Sequence, residues 1–440
     1  MQSSEQRSDA VVVGGGVSGL AAAVFLARGG KSVRLFEQSH AAGGRARTRQ
    51  QGGFYLNIGP HALYRGGRGI EILRELGVEL RGRVPSVSGA FAVKGGVKHT
   101  FPAGMVSLLT TSLFGLPAKL ETARLLGSIA KLDGAAAMGM SLREWVDSHI
   151  SHADVREFLL AVFRVSTYTN APERMSAGAA IEQLKLAFTK SVLYLDGGWQ
   201  TIVDGLMRKA EQAGVSVEAG AKVEVVLRDA AGAARGVRLA DGREFGSRNV
   251  VIASSPAVAA RLVEHGRQTS LARWADEAVT VKAACLDVAL DYLPKPKATF
   301  ALGVDRPLYL SVHSAAARLA PEGGAMIHVA KYLPPDHDDA PEAVERELEG
   351  LLDLVQPGWR AAVAQRRFLP DLVVMNDTAT ALRDGTKGRP GPRVSDVPGL
   401  FVSGDWVGGE GLLVDASLAS AKQAAELVAA EIPASLAAAS

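Results

Sequence analysis

Glycines 14, 15, 16 and 19 stand between a valine run and an alanine-rich run in DAVVVGGGVSGLAAAVFLARGGKSVRLFEQ, residues 9–38. Glycine loses more backbone entropy on folding than other residues and weakens a helix start. A chain that needed only a stable helix would avoid this pattern. It predicts a short buried strand over 9–13, a tight turn, a helix over 20–28 ended by Gly29-Gly30, and a second strand over 32–36. Gly14, Gly16 and Gly19 carry the G-x-G-x-x-G spacing. The first allows the turn, the second lets main chain touch a pyrophosphate, and the third lets helix lie on strand. The helix start at Val17-Ser18 offers free N–H groups and the positive end of the helix dipole to phosphates. Glu37, followed by Gln38, ends the second strand 18 residues beyond Gly19. A carboxylate there accepts hydrogen bonds from both ribose hydroxyls and repels a 2′-phosphate. The triad does not separate NAD from FAD.

Length and charge narrow the remaining choices. A chain of 440 residues with 47% apolar and 22% charged residues is an ordinary globular sequence of two domains or one composite fold. Lys and Arg number 49 against 46 Asp and Glu, and no compact basic block suggests nucleic acid. Cys285 is the one cysteine, so neither a disulfide framework nor a metal ligand set can be built, as expected of a reducing cytoplasm. The opening MQSSEQRS is polar and unlike a signal peptide. The apolar stretch 101–118 is broken by Pro102, Gly104, Gly115 and Pro117, and is too short to span a bilayer.

Along the chain, hairpins are expected over 45–58 and 91–101, a short helix over 70–76, and mostly helix over 103–190, with Ser141 and Glu144 as a capping box. A helix-then-strand rhythm returns near 197–253, residues 278–332 read as β-rich, and 341–355 as a helix. A Gly/Pro-rich loop over 384–398 precedes a strand at 399–404 and a closing helix. Nucleotide-type features occupy 1–85, 197–275 and 390–435, with a substrate domain interleaved as 86–196 and 276–389.

Further motifs give the first a context. AAGGRARTR puts Gly43-Gly44-Arg45 just after the acidic strand end, and LNIGPHALYRGG follows with Gly59, Pro60 and His61. GGWQTIVDGL and AKVEVVL, with Val223, lie mid-chain. GDWVGGEGLLVDA sets Gly404-Asp405 after a strand and Gly411-Leu412-Leu413 at a helix start. Together these resemble the FAD-dependent superfamily of flavin amine oxidases, phytoene desaturases and protoporphyrinogen oxidases, and most closely its phytoene-desaturase-type members. The resemblance implies an α/β fold: a Rossmann-type, glutathione-reductase-like FAD-binding domain with an interleaved mixed α+β substrate domain. It implies that Arg45 meets the phosphates, Gly59-Pro60-His61 line the flavin, the backbone of Val223 faces the adenine, Asp405 holds the ribityl or phosphate region, and the helix after Gly411 points at the ring edge where negative charge gathers on reduction. It covers the cofactor segments and is weak over 100–190 and 276–365, which decide the substrate.

FAD accepts a hydride at N5. Leu412 and Leu413 stand where amine oxidases of the superfamily place an aromatic ring, and Cys285 lies far along the chain from the motif that carries covalent flavin. Both features favour non-covalent FAD and removal of a hydride and a proton from an apolar small molecule, desaturase fashion. An amine oxidase, a protoporphyrinogen-type oxidase and a non-redox flavin-dependent isomerase are the alternatives. The acid–base candidates are His61, Lys331 and Tyr332, with Tyr168, His313, Lys295 and Lys297 as further ones; Trp199 and Trp406 adjoin cofactor motifs. Met105, Leu108, Leu109, Leu113, Phe114 and Leu116 are expected near the pocket mouth. Their segment reads first as core helix, and second as peripheral contact with a membrane.

Overall fold

The computed structural model describes residues 6–431, so the polar opening and the end of the 390–435 segment fall partly outside it. Strand Ala10–Val13 pairs in parallel with Val33–Glu37 on one side and Val250–Ile252 on the other. Ser216–Ala219 and Leu400–Val402 complete a five-stranded parallel sheet, drawn from three distant stretches of chain. Ala10–Val13, Val250–Ile252 and Leu400–Val402 read as unbroken apolar runs because both faces are covered. Helices Val17–Arg28, Gln200–Gln212 and Leu413–Ala430 pack on one face. A four-stranded sheet containing Val223–Arg228 and Ala234–Leu239 packs on the other, with helix Pro256–Leu262.

The turn after the first strand explains its glycines. Gly14 has φ +106°, and a Cβ there would sit 2.7 Å from the Ala253 carbonyl oxygen. A Cβ on Gly19 would sit 2.0 Å from the Gly14 carbonyl oxygen, so helix and turn touch backbone to backbone.

A seven-stranded sheet forms the second body. Its order is Val363–Met375, Val281–Leu290, Ala325–Leu333, Leu308–Val312, Phe300–Gly303, Ala90–Lys94 and Val97–Thr100. All pairs are antiparallel except Phe300–Gly303 with Ala90–Lys94. Helix Pro341–Val355 covers one face. Helices Ala153–Thr167 and Ala177–Lys190 belong to an apolar cluster that also takes in Val281 and Met375 of this sheet. The 13-residue strand Val363–Met375 was not expected from sequence. Pro370 sits inside it, which an edge strand tolerates because a residue lacking an N–H can stand on its unpaired side.

Asp415, in the first turn of helix Leu413–Ala430, accepts the Gly69 N–H at 2.8 Å and ties that helix to helix Arg68–Glu75. Burial raises this carboxyl to about 6, against the opposing pull of the Gly69 N–H. The folded state therefore holds the proton more tightly than the unfolded chain. The associated stability is present at acid pH and is lost as pH rises through about 6, with an upper limit of about 3 kcal/mol. Asp415→Asn keeps an acceptor for Gly69 and removes the titration. Denaturant unfolding at acid and neutral pH should show a smaller loss of stability in the variant than in the parent; equal losses would contradict this reading of Asp415.

Candidate functional site

The turn and the two sheets enclose a cavity of about 630 Å³. Gly14, Gly16, Val17 and Ser18 line it from the first turn, Glu37 and Gln38 from the second strand, and Gly43, Gly44 and Arg45 from the loop beyond. Pro60, His61 and Trp199 form another wall, with Val223, Gly404, Asp405 and Leu413. The seven-stranded sheet supplies Ala283, Cys285, Ala330, Leu372 and Val374, and Tyr168 comes from the end of helix Ala153–Thr167.

Glu37 is placed by backbone donors: Oε2 accepts the Gly15 N–H and Oε1 the Ser39 N–H, each at 2.7 Å. Gly43 N–H donates to the Gly15 carbonyl at 2.8 Å, which joins the second glycine motif to the first. Arg45 Nη1 donates to Asp405 Oδ2 and to the Val374 carbonyl, both at 2.7 Å. Asn376 Nδ2 donates to the other oxygen of Asp405 at 2.9 Å. Asp405 is buried and Arg45 half-exposed, so the guanidinium is fixed at its rear and open toward the cavity. Gly16 carries bare backbone at the helix start, with open space where a Cβ would stand. Bare main chain, a helix N-terminus, one held cation and an acid on the second strand suit a dinucleotide pyrophosphate and its ribose.

His61 Nδ1 donates to the Gly59 carbonyl at 3.0 Å, and its ring lies 4.7 Å from that of Trp199. Enclosure lowers its pKa to about 4 despite the carbonyls of Gly59 and Arg45, so the imidazole is neutral at pH 7.

Several expectations do not hold. Lys331 points to the other face of its strand, where it pairs with Asp339 and Glu347 at 3.0 and 2.9 Å. Side chains alternate along a strand, and Ala330 takes the cavity face. Tyr332 returns to that face but is 1% exposed and does not line the cavity. Gly59, Gly411 and Leu412 lie outside the lining: Gly59 has Leu372 and Cys285 against it, Gly411 has Asp415 against it, and Leu412 is buried in the helical core, whereas Gly19, also outside it, packs on Gly14 as its place in the motif predicts. Trp406 donates its indole N–H to the Ser254 carbonyl at 2.8 Å and packs on Trp274 instead. His313 stacks on Tyr194 below the surface, and Lys295 and Lys297 do not reach the cavity. None of Met105, Leu108, Leu109, Leu113, Phe114 and Leu116 lines it either. Cys285, distant in sequence from the GDW motif, does line it, although burial pushes its thiol pKa well up.

One cluster was missed. Asp287 sits opposite both His328 and Arg367 across neighbouring strands. Its Oδ1 meets His328 Nδ1 at 2.6 Å and its Oδ2 meets Arg367 Nη2 at 2.5 Å. Those partners hold the carboxylate ionised although it is fully buried. Arg367 also donates to the Asn57 carbonyl, which anchors the segment leading to Pro60 and His61. A single acid in CLDVAL and a single histidine in AMIHVA were the available signal, since a lone ionisable group in an apolar strand needs a buried partner.

A parallel sheet whose first helix meets a bare turn, with an acid closing the second strand and a second sheet completing the cavity, is the architecture of a dinucleotide-cofactor protein. The pattern of the flavin-containing amine oxidoreductases matches residues 17–429, and the chain belongs to that family. A zeta-carotene-forming phytoene desaturase of Myxococcus xanthus is 28% identical over 276 residues, 55% of this chain and 52% of that protein. The chain thus spans about half the length of that relative. An oxidoreductase of Methanosarcina mazei has the same fold, with TM-score 0.73 at 20% identity over 96% of this chain and 99% of its own. So does a putrescine oxidase triple mutant, with TM-score 0.74 at 17% identity over 97% and 100%.

Glu37→Ala removes the acceptor of two backbone N–H groups and the acid on the second strand. The variant should retain FAD at least roughly tenfold more weakly than the parent in a fluorescence titration, since a lost charge-assisted hydrogen bond is worth that much. Unchanged affinity would show that Glu37 does not meet the ligand.

Proposed function

We propose that this chain is an FAD-dependent oxidoreductase of the desaturase or dehydrogenase type, with non-covalent flavin and a substrate of largely apolar body. FAD, when bound, supplies a two-electron acceptor that takes a hydride. Gly14, Gly16 and Ser18 would hold its pyrophosphate with Arg45, and Glu37 its adenosine ribose. Asp405 and Asn376 orient Arg45 for that contact. Neutral His61 keeps its proton on Nδ1 and presents an uncharged ring to the cavity beside Trp199. The enclosing apolar wall excludes water from the reacting bond.

The observation that carries the substrate reading is the wall contributed by the second sheet. Ala283, Cys285, Ala330, Leu372 and Val374 are small or aliphatic, and Leu413 stands at the helix start. Tyr168 is the single aromatic side chain on this wall, the cavity's other rings, Phe36, His61 and Trp199, coming from elsewhere in the chain. The desaturase from Myxococcus xanthus among the relatives supports the same reading. Non-covalent flavin is supported by the buried Cys285 thiol, whose raised pKa leaves little thiolate.

This reading includes contact with a lipid surface. Met105, Val106 and Leu109 on helix Met105–Thr110, and Leu116 and Leu120 on helix Leu116–Ser128, are 56 to 77% exposed, with Lys119 and Arg124 beside them. No helix among the described residues is long and apolar enough to cross a membrane. Such a patch suits an apolar substrate collected from lipid.

Three measurements test the proposal. Acid precipitation should release the flavin into the supernatant; flavin left on the protein would refute non-covalent binding. Anaerobic mixing with polyenes should bleach the flavin and yield product two hydrogens lighter. Bleaching by primary amines alone would reverse the substrate assignment, and product of unchanged mass would indicate isomerisation. For the surface patch, flotation with anionic liposomes should carry the protein upward, and Val106→Asp/Leu109→Asp should stay behind.

A further inference from the structure

Tyr168 follows the last turn of helix Ala153–Thr167 and lines the cavity beside the second sheet. Its backbone takes φ +60°, a left-handed conformation that strains a bulky side chain and persists only where the surroundings impose it. The chain on either side does so. The Thr167 hydroxyl donates to the Phe163 carbonyl at 2.8 Å, the Thr169 and Thr378 hydroxyls meet at 3.3 Å, and Asn170 Nδ2 donates to the Tyr332 carbonyl at 2.9 Å. These contacts fix where the Tyr168 ring leaves the chain.

The ring is packed while its hydroxyl is unused. It meets the Tyr332 ring edge-on at 6.0 Å. Tyr168, Val374 and Leu413 border one apolar cluster, and Tyr168, Leu372 and Val374 border another that contains Cys285 and Ala330. Tyr168 thus joins the helix start at Leu413 to the aliphatic wall. Its hydroxyl makes no hydrogen bond among the described residues. The Tyr332 hydroxyl is also unpartnered but is shut in by protein, whereas Tyr168 borders the cavity itself. Burial pushes the Tyr168 pKa well up, so the phenol keeps its proton. The rest of this wall offers little to a polar ligand. Ala283, Ala330, Leu372 and Val374 carry no polar side-chain atom, and the Cys285 thiol is a weak donor.

A hydroxyl that faces an apolar space is costly to leave unbonded. We propose that Tyr168 determines substrate specificity, its hydroxyl donating to a neutral oxygen, carbonyl or hydroxyl, on an otherwise apolar substrate. A carboxylate would need a cation on this wall, and an ammonium an anion. The charged side chains that line the cavity, Arg45, Lys222 and Arg261 with Glu37, Glu224 and Asp405, all come from the body built on the parallel sheet. An apolar chain against an aliphatic wall can slide along it. One hydrogen bond to a fixed phenol sets its register and so selects which C–H bond is presented to the hydride acceptor. The inference rests on the cavity being the substrate site of the flavoenzyme, and it narrows the apolar substrate to an oxygenated one.

The test uses the flavin-loaded protein and two probes of the same shape, 2-acetylnaphthalene and 2-isopropenylnaphthalene, which differ in a carbonyl against a methylidene group. Binding is read by calorimetry and by the change in flavin absorption. The ketone should bind roughly tenfold more tightly than the alkene, and Tyr168→Phe should bring the ratio below about threefold. That variant should leave the alkene's affinity and the retention of FAD as in the parent. Tyr168→Met removes the hydroxyl by a second route and should give the same reduced ratio, while the ratio in the parent needs no variant. Equal binding of the two probes, no binding of the ketone, or a preference that survives both variants would overturn the assignment. Weaker FAD retention in Tyr168→Phe with an unchanged ratio would overturn it too, and give the hydroxyl to the flavin. A parent that holds no flavin would end the flavoenzyme reading and this inference with it. A flavin-loaded parent indifferent to the carbonyl would remove only this one.

Discussion

The fold depends on a contact that leaves no room for a side chain. Helix Val17–Arg28 approaches the strand-to-helix turn so closely that the Gly14 carbonyl fills the place of a Cβ on residue 19. That approach aims the helix N-terminus at open space in front of Gly16, and the remaining elements border this space. The apolar strand Ala10–Val13 sits at the centre of its sheet with neighbours on both sides, so the turn rests on the least exposed part of the molecule.

Two polar assemblies then close the cavity from the far side. Arg45, Asp405 and Asn376, from three separated stretches of chain, hold one guanidinium facing the helix start. Arg45 is half-exposed, so its pair with Asp405 contributes orientation more than stability. Arg367, Asp287 and His328 form a row across three strands, and Arg367 reaches the Asn57 carbonyl ahead of the Pro60-His61 wall. Asp287 and His328 are buried, Arg367 is partly exposed, and the Asp287 and Arg367 charges match. Removing Arg367 would leave the buried Asp287 carboxylate with His328 as its one remaining side-chain partner among the described residues. The second sheet is thus fastened to the loop that carries His61.

The parts legible in sequence are those in which backbone geometry dictates residue type. The GGGVSG turn, the acid at 37, the GGR loop and the GDW-to-helix stretch are each short, local and rich in glycine, and each borders the cavity. What sequence did not show depends on distant pairing. Strand Val363–Met375 carries Pro370 and the charged Arg366, Arg367 and Asp371, and it makes sense only as an edge strand beside Val281–Leu290. Lys331 and Tyr332 were singled out by their place at a strand end, but the side each takes depends on strand register, which Ala283, Cys285 and Ala330 facing the cavity reveal. Cys285 looked remote because its neighbours along the chain are far from the GDW motif; sheet pairing brings it to the same wall. The single ionisable residues Asp287 and His328 marked a buried pair, but nothing local gave their register.

The account's central claim is that one cavity receives a flavin dinucleotide, with phosphates against Gly14 to Ser18 and the ring near His61, Trp199 and Leu413. A crystal structure of the protein as isolated, without added cofactor, tests this most directly. The account predicts continuous density for FAD along that path, with Arg45 turned to the pyrophosphate and no bond to Cys285. A nicotinamide dinucleotide there, or side chains closing the space before Gly16 while flavin sits elsewhere, would contradict it.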